Sequence, residues 1–202
     1  MLDLGGAYGL FTEALEQFFD YELLAGDKSE KSCAEPFEFE YDVFPYSDNE
    51  FDLVIFMEVL EHLRDDPMHC LSEINRILRP EGHMLLTTPN LSSWKSISRA
   101  LHHENPLLFP PFVRSGGTDR HNREYTFREV SQLAIDAGFT VETHTAIDVY
   151  DHLPLAPGIA GFSTEGRGDT TFLVAKKSSS VLNRRPDWLY WPAAPKAPEG
   201  EA

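Results

Sequence analysis

Residues 51–62, Phe-Asp-Leu-Val-Ile-Phe-Met-Glu-Val-Leu-Glu-His, constrain this chain most, because an apolar run ends abruptly in carboxylates and an imidazole. Leu53, Val54, Ile55, Phe56 and Met57 show no polar face, the pattern of a strand covered on both sides in a parallel sheet. In open α/β sheets, ligands bind beyond the carboxyl ends of the strands. Glu58, Glu61 and His62 therefore stand where chemistry is done. A helix starting at Glu58 would put spacings of three and four on one face, a geometry that permits a shared ligand.

Strand and helix patterns alternate along the rest of the chain, the sign of an α/β fold. A short strand over residues 1–4 leads into Gly5-Gly6-Ala7-Tyr8-Gly9, and Phe11, Ala14, Leu15, Phe18 and Phe19 follow at helical spacing. Residues 21–25 and 37–43 read as second and third strands, the segment between them being too short for more than one helical turn. Leu71, Ile74, Ile77 and Leu78 mark a helix that stops at Arg79-Pro80-Glu81-Gly82, before a strand over residues 83–88. Trp94, Ile97, Ser98 and Leu101 predict another helix. Residues 105–123 form a long loop rich in Pro and Gly, of the kind that serves as a functional lid, and the lid region spans about 103–125. Thr126 with Glu129 is a capping box for a last helix ended by Gly138, and strands over 139–149 and 170–175 close the domain. The domain is expected over residues 1–176. The Ser-, Pro-, Ala- and Glu-rich residues 177–202 are expected to be a largely disordered tail, with Trp188-Leu189-Tyr190-Trp191 as a cluster able to dock.

At 202 residues and 42% hydrophobic, the chain can bury one sizeable core. Its net charge of −16 argues against extended nucleic acid as a partner, which needs clustered Lys and Arg, and favours a small-molecule or glycan substrate. Cys33 and Cys70 lie far apart and outside any CxxC pattern, as free thiols of a reducing compartment do. With no apolar run of roughly 20 residues and no visible signal peptide, a cytoplasmic protein is expected.

The glycine loop sits between a strand and a helix, where glycines let the backbone approach a ligand. Its spacing does not match G-x-G-x-x-G, which disfavours a nicotinamide oxidoreductase, and no Lys-Ser or Lys-Thr pair follows to make a P-loop. Asp3-Leu4-Gly5-Gly6-Ala7-Tyr8-Gly9, Asp27, Asp42-Val43, the run 44–54 and Leu78-Arg79-Pro80-Glu81-Gly82 together resemble the class I S-adenosylmethionine-dependent methyltransferases over roughly residues 1–150. Ala7 stands where that family has its middle glycine. The resemblance implies a Rossmann-like doubly wound, mostly parallel seven-stranded sheet. Its order would be 3-2-1-4-5-7-6, with strand seven antiparallel, and here the first strand and the second helix would be shortened. It implies S-adenosyl-L-methionine held by Asp3, Gly5, Gly6, Gly9, Asp27, Asp42, Val43 and Glu58, with Asp27 on the ribose and Asp42 near the adenine amine. Carboxylates accept from a ribose diol or an exocyclic amine, and a sulfonium gains from acidic surroundings. So few residues precede Asp3 that Met1 is expected to be internal to a longer protein.

Three readings stand for Glu58, Glu61 and His62. The first is structural, with His62 orienting loops; in the second His62 is a general base, with Glu61 and His121 in the same catalytic group; in the third Glu58, Glu61, His62 and His121 hold a divalent metal. The last set resembles the metal-dependent small-RNA 2′-O-methyltransferases, and two carboxylates with two imidazoles would suit Mg²⁺, Mn²⁺, Fe²⁺ or Zn²⁺. The apolar segment 107–112 is expected to cover the acceptor, and resembles insertions in bacterial enzymes acting on glycans, lipid-linked sugars or secondary metabolites. Two functions from different classes follow. One is an O-methyltransferase acting on a hydroxyl of a sugar-like or natural-product molecule; the other is a non-catalytic cofactor-binding or scaffold protein of the same fold.

Overall fold

The computed structural model describes residues 1–5, 24–26, 37–112, 114, 120–150 and 165–192. Six strands form one sheet: β1 (Leu2–Leu4), β2 (Leu24–Gly26), β3 (Phe51–Met57), β4 (Leu78–Pro89), β5 (Phe139–Ile147) and β6 (Thr170–Lys177), in the order β2-β1-β3-β4-β6-β5. The first four run parallel, and β6 is antiparallel to both β4 and β5. This is the expected mixed α/β sheet, with a correction at one edge. Residues 37–43 are a turn and not a third strand, so the seven-strand order is not reproduced among the described residues. Phe37, Phe39 and Phe44 do point inward, but as a cluster of rings with centroids 4.8–5.9 Å apart. Tyr41 and Asp42 N–H close the turn onto the Glu38 carbonyl. Alternating aromatics satisfied the strand pattern while burying their area through a turn.

Helix α1 (Pro67–Ile77) starts where Asp66 accepts the His69 N–H and Pro67 supplies a preset φ, and it buries Met68, Leu71, Ile74 and Ile77 against the sheet. Helix α2 (Trp94–Leu101) is unlike the apolar helix its sequence predicts, since Leu101 is exposed and Lys95, Ser96 and Ser98 face inward. Its buried face is polar because Lys95 Nζ pairs with the fully buried Asp169 at 2.5 Å and also meets the Tyr150 carbonyl. Helix α3 (Phe127–Asp136) carries the complete Thr126–Glu129 capping box and buries Val130, Leu133 and Ala134. Strand β4 begins earlier than expected. Leu78 pairs with Phe51 and His83 with Leu53, so Arg79-Pro80-Glu81-Gly82 bulge out opposite Asp52, with Glu81 at φ 67°.

Residues 178–192 lie on the domain as a strap. Gly138 has φ 90°, and a Cβ there would meet the Ser180 carbonyl at 2.5 Å, so the strap crosses where only glycine fits. Ser178 and Ser179 N–H donate to the Gly138 carbonyl, and Leu182 and Asn183 N–H to that of Asp136. Arg184 grips Asp66 through two bonds of 2.8 and 2.9 Å, Trp188 Nε1 donates to Asp136, and Tyr190 OH reaches Asp66. Leu189 and Tyr190 pack against the core, while Trp191 is exposed. No helix among the described residues is long and apolar enough to cross a membrane.

Candidate active site

β1 lies between β2 and β3, the point at which the strand order reverses, and in open α/β sheets ligands bind beyond the carboxyl ends of the strands at such a point. The register Leu2↔Leu24 and Leu2↔Val54 brings Asp3, Gly26 and the end of β3 to this edge. Asp3 is buried there. Gly5 has φ 84°, and a Cβ on it would stand 2.3 Å from Val59 Cγ2, so this position needs glycine twice over. Gly6, Gly9 and Asp27 lie outside the described residues. Asp42 and Val43 sit on the exposed turn. There the Asp42 carboxylate accepts the Glu38 N–H at 2.8 Å, and the Asp42 carbonyl stands 2.8 Å from His69 Nε2.

After β3 the chain does not enter a helix at Glu58. Glu58 takes φ 53°, the left-handed region, at a cost of about 1–2 kcal/mol for a residue with a Cβ. Only the 3₁₀ turn Leu60–His62 follows. The carboxylates consequently part. Thr87 Oγ1 donates to Glu58 Oε1 and Thr88 Oγ1 to Glu61 Oε2, each at 2.8 Å. Adjacent strand residues face opposite ways, so two successive threonines hold the two glutamates apart.

Glu61, His62 and His121 do converge. Glu61 is fully buried, and its Oε1 has no hydrogen-bond donor among the described residues. That oxygen lies 3.9 Å from His62 Nε2 and 4.0 Å from His121 Nε2. The distal histidine arrives because Asn122 and Arg123 N–H both donate to the Glu61 carbonyl and Asn122 Nδ2 donates to that of His62. His62 Nδ1 lies 2.9 Å from the Arg120 carbonyl, and His121 Nδ1 lies 3.4 Å from Glu124 Oε1. Carbonyl and carboxylate oxygens only accept, which assigns the proton of each neutral imidazole to Nδ1. Both Nε2 lone pairs then face the Glu61 oxygen.

Burial, helped by the Glu58 charge, pushes the Glu61 carboxyl up to about 7 against the Thr88 hydrogen bond and the pull of His121. Burial raises Glu58 as well, outweighing its Thr87 bond. For His121, burial favours the neutral ring, but Glu124, Glu61 and Glu58 together overcome it and raise its pKa. The group thus exchanges a proton near neutrality, as a general base requires. Phe109 packs beside it, its ring centroid 4.6 Å from that of His121 and 5.1 Å from that of Tyr150.

As a metal set the arrangement is narrower than the sequence suggests. One ligand atom from each of Glu61, His62 and His121 lies within 4.8 Å of the others, and Glu58 is not among them. Ligand bonds of about 2.0–2.2 Å allow donors to stand at most about 4.4 Å apart, so a small contraction of side chains would complete the site. Thr87, Thr88, Asn122, Glu124 and Tyr150 were not singled out as site residues from sequence. The threonines alone left a signal, a polar pair ending an apolar strand beside β3.

Residues 1–144 match the family described as "Methyltransferase domain". A "probable S-adenosylmethionine-dependent methyltransferase" of Mycolicibacterium smegmatis is 36% identical over 98 residues, 48% of this chain and 32% of that protein. An uncharacterized 37.1 kDa protein in transposon TN4556 of Streptomyces fradiae is 30% identical over 148 residues, 69% of this chain and 39% of that protein. The chain therefore spans between about a third and two-fifths of the length of these curated relatives. Among solved structures, a SAM-dependent methyltransferase from Methanosarcina mazei superposes with a TM-score of 0.63 at 15% identity, covering 87% of this chain and 91% of that one. One from Mesorhizobium loti gives 0.58 at 18% identity, covering 87% and 89%. At these identities the structural likeness shows the fold.

Proposed function

We infer that this chain, which belongs to the methyltransferase-domain family, transfers the methyl group of S-adenosylmethionine to a hydroxyl of a small sugar-like, glycan or natural-product acceptor. One observation carries the reading. A fully buried carboxylate oxygen, without a hydrogen-bond donor among the described residues, lies 3.9 and 4.0 Å from two imidazole nitrogens beside the sheet's switch point. When bound, S-adenosylmethionine supplies an electrophilic methyl group on a sulfonium. Asp3 and Gly5 stand where it would be held, with Glu58 at the neighbouring strand end; the resemblance adds Gly6, Gly9, Asp27, Asp42 and Val43. Glu61, His62 and His121 take up the acceptor's hydroxyl proton, and positioning supplies most of the remaining advantage. The aromatic rings of Phe109 and Tyr150 near His121 and the buried carboxylates suit an acceptor with both ring surface and hydroxyls. Cys70 is a free, buried thiol, in keeping with the cytoplasmic location this reading assigns.

The experiment is a calorimetric titration with S-adenosylhomocysteine, followed by transfer of labelled methyl to a panel of sugars and phenols. Micromolar binding with label on a hydroxyl supports the reading. Absence of binding at millimolar ligand favours the scaffold function instead.

The approach of two Nε2 atoms to within 4.0 Å of one carboxylate oxygen favours an addition to this reading, in which Glu61, His62 and His121 hold a divalent cation. Two imidazoles with one carboxylate fit Zn²⁺, Fe²⁺ or Mn²⁺ better than Mg²⁺, which prefers oxygen and retained water. The Arg120 carbonyl and the Glu124 carboxylate would then serve as the outer partners that orient the ligating rings. Such a cation supplies Lewis acidity toward the acceptor oxygen. Turnover fully retained after EDTA treatment removes the metal and leaves the base.

A further inference from the structure

Glu124 touches three groups that the proposed reaction needs in register. Its carboxylate is buried, at 2% exposure. Oε2 accepts the Leu108 N–H at 2.9 Å, Oε1 accepts the Phe109 N–H at 3.1 Å, and Oε1 also stands 3.4 Å from His121 Nδ1. The next residue is anchored: Tyr125 is 1% exposed and bridges Asn90, just beyond the end of β4. Leu91 N–H donates to its carbonyl. Glu124 thus projects from a fixed point on the sheet edge toward one loop and one imidazole.

We propose that Glu124 is a positioning residue, one carboxylate setting both the acceptor loop at Phe109 and the ring orientation and tautomer of His121. The purpose given to this arrangement rests on the methyl-transfer reading, whereas the arrangement itself does not. A carboxylate only accepts, so all three contacts require donors, and His121 must offer N–H from Nδ1. Its Nε2 lone pair is then left facing Glu61 Oε1 at 4.0 Å. The Phe109 ring lies 4.6 Å from His121 and 5.1 Å from Tyr150, so a displaced 108–109 backbone would take away the wall beside the imidazole. A carboxylate that merely satisfied two backbone amides would have no influence on which nitrogen of His121 carries the proton.

The test uses the full chain labelled with ¹⁵N-histidine, at a pH where the imidazoles are neutral. Two-bond nitrogen–hydrogen couplings report the His121 tautomer, assigned through His121→Gln, and hydrogen exchange reports the Leu108 and Phe109 amides. The wild type is expected to show Nδ1–H and slow exchange at both amides. Glu124→Gln puts a donor where one acceptor stood. If the amide nitrogen replaces Oε1, Phe109 exchange should speed about tenfold, the scale of one lost hydrogen bond, and His121 should shift toward Nε2–H with it; if it replaces Oε2, Leu108 alone should speed and the ring should stay as it was. S-adenosylhomocysteine affinity should not change. If Phe109 exchange and the tautomer move independently, or if the wild-type ring is Nε2–H, the proposal is overturned. Should Glu124→Gln fail to fold, the wild-type tautomer and exchange rates still decide. Failure of the wild type to bind S-adenosylhomocysteine would instead refute the proposed function and leave these readouts intact.

Discussion

Replacing Glu61 by Gln should make the protein more stable at pH 8 and leave it nearly unchanged at pH 5. The Glu61 carboxyl is fully buried, and its pKa is raised from an ordinary 4.5 to about 7 by burial first and the Glu58 charge second. Between those values the folded state binds more protons than the unfolded one, so stability falls as pH rises through the window and levels off above it. At 1.36 kcal/mol per tenfold change, the gap corresponds to about 3 kcal/mol. His121 acts in the same direction. Its raised pKa gives stability that is full below the ordinary 6.5 and is lost as pH climbs past its folded value. Gln keeps an oxygen for the Thr88 hydroxyl and offers an amide N–H toward the Nε2 lone pairs, so the isostere retains the packing. For a chain of this length each kcal/mol is worth roughly 2–4 °C, so the wild type should trail the variant by roughly 6–12 °C at pH 8. The assay is scanning calorimetry of EDTA-treated protein at intervals from pH 5 to 8. Parallel melting curves for the two proteins across that range would refute the assignment of a buried, proton-holding Glu61.

The remaining predictions concern the site, the cofactor crevice and the strap. His62→Ala and His121→Ala should each lower turnover by about 10²–10⁴-fold, with S-adenosylhomocysteine affinity measured by calorimetry unchanged. Asp27→Ala should weaken that affinity by about 1–3 kcal/mol, the scale of hydrogen bonds lost to a charged group, as read in the same titration. Gly5→Ala places its Cβ 2.3 Å from Val59 Cγ2 at positive φ, so it should cost stability and cofactor affinity together, with Val59→Ala restoring part of the loss in urea melts. Tyr190→Phe removes a hydroxyl that bonds Asp66 and accepts the Met68 N–H, which should cost about 1 kcal/mol by urea unfolding without altering the site.

What could be read from the chain depended on whether the physics was local. The strand Phe51–Met57 was legible because burial on both faces needs an unbroken apolar run, and the Thr126–Glu129 box because capping is completed within four residues. The turn at 37–43 was not, since Phe37 and Phe39 alternate like a strand while packing as a ring cluster. The left-handed Glu58 broke the helical spacing that had placed it with Glu61 and His62, and Thr87 took its carboxylate. His121 is legible as a member of the cluster, whereas Glu124 beside it is not. Its partners at 108 and 109 lie sixteen and fifteen residues away, with no spacing rule to link them. In the strap the aromatic cluster at 188–191 is legible as able to dock, whereas Arg184 and the acceptors Asp66 and Asp136 are not, because they meet only on the folded surface.

The most direct measurement is a crystal structure of this chain with S-adenosylhomocysteine. The ligand should lie across the carboxyl ends of β1 and β3 against Asp3 and Gly5, its sulfur turned toward the pocket walled by Phe109, Tyr150 and the Glu61–His62–His121 group. A ligand bound elsewhere, or a sulfur facing away from Glu61 with a wall between them, would contradict methyl transfer at this site.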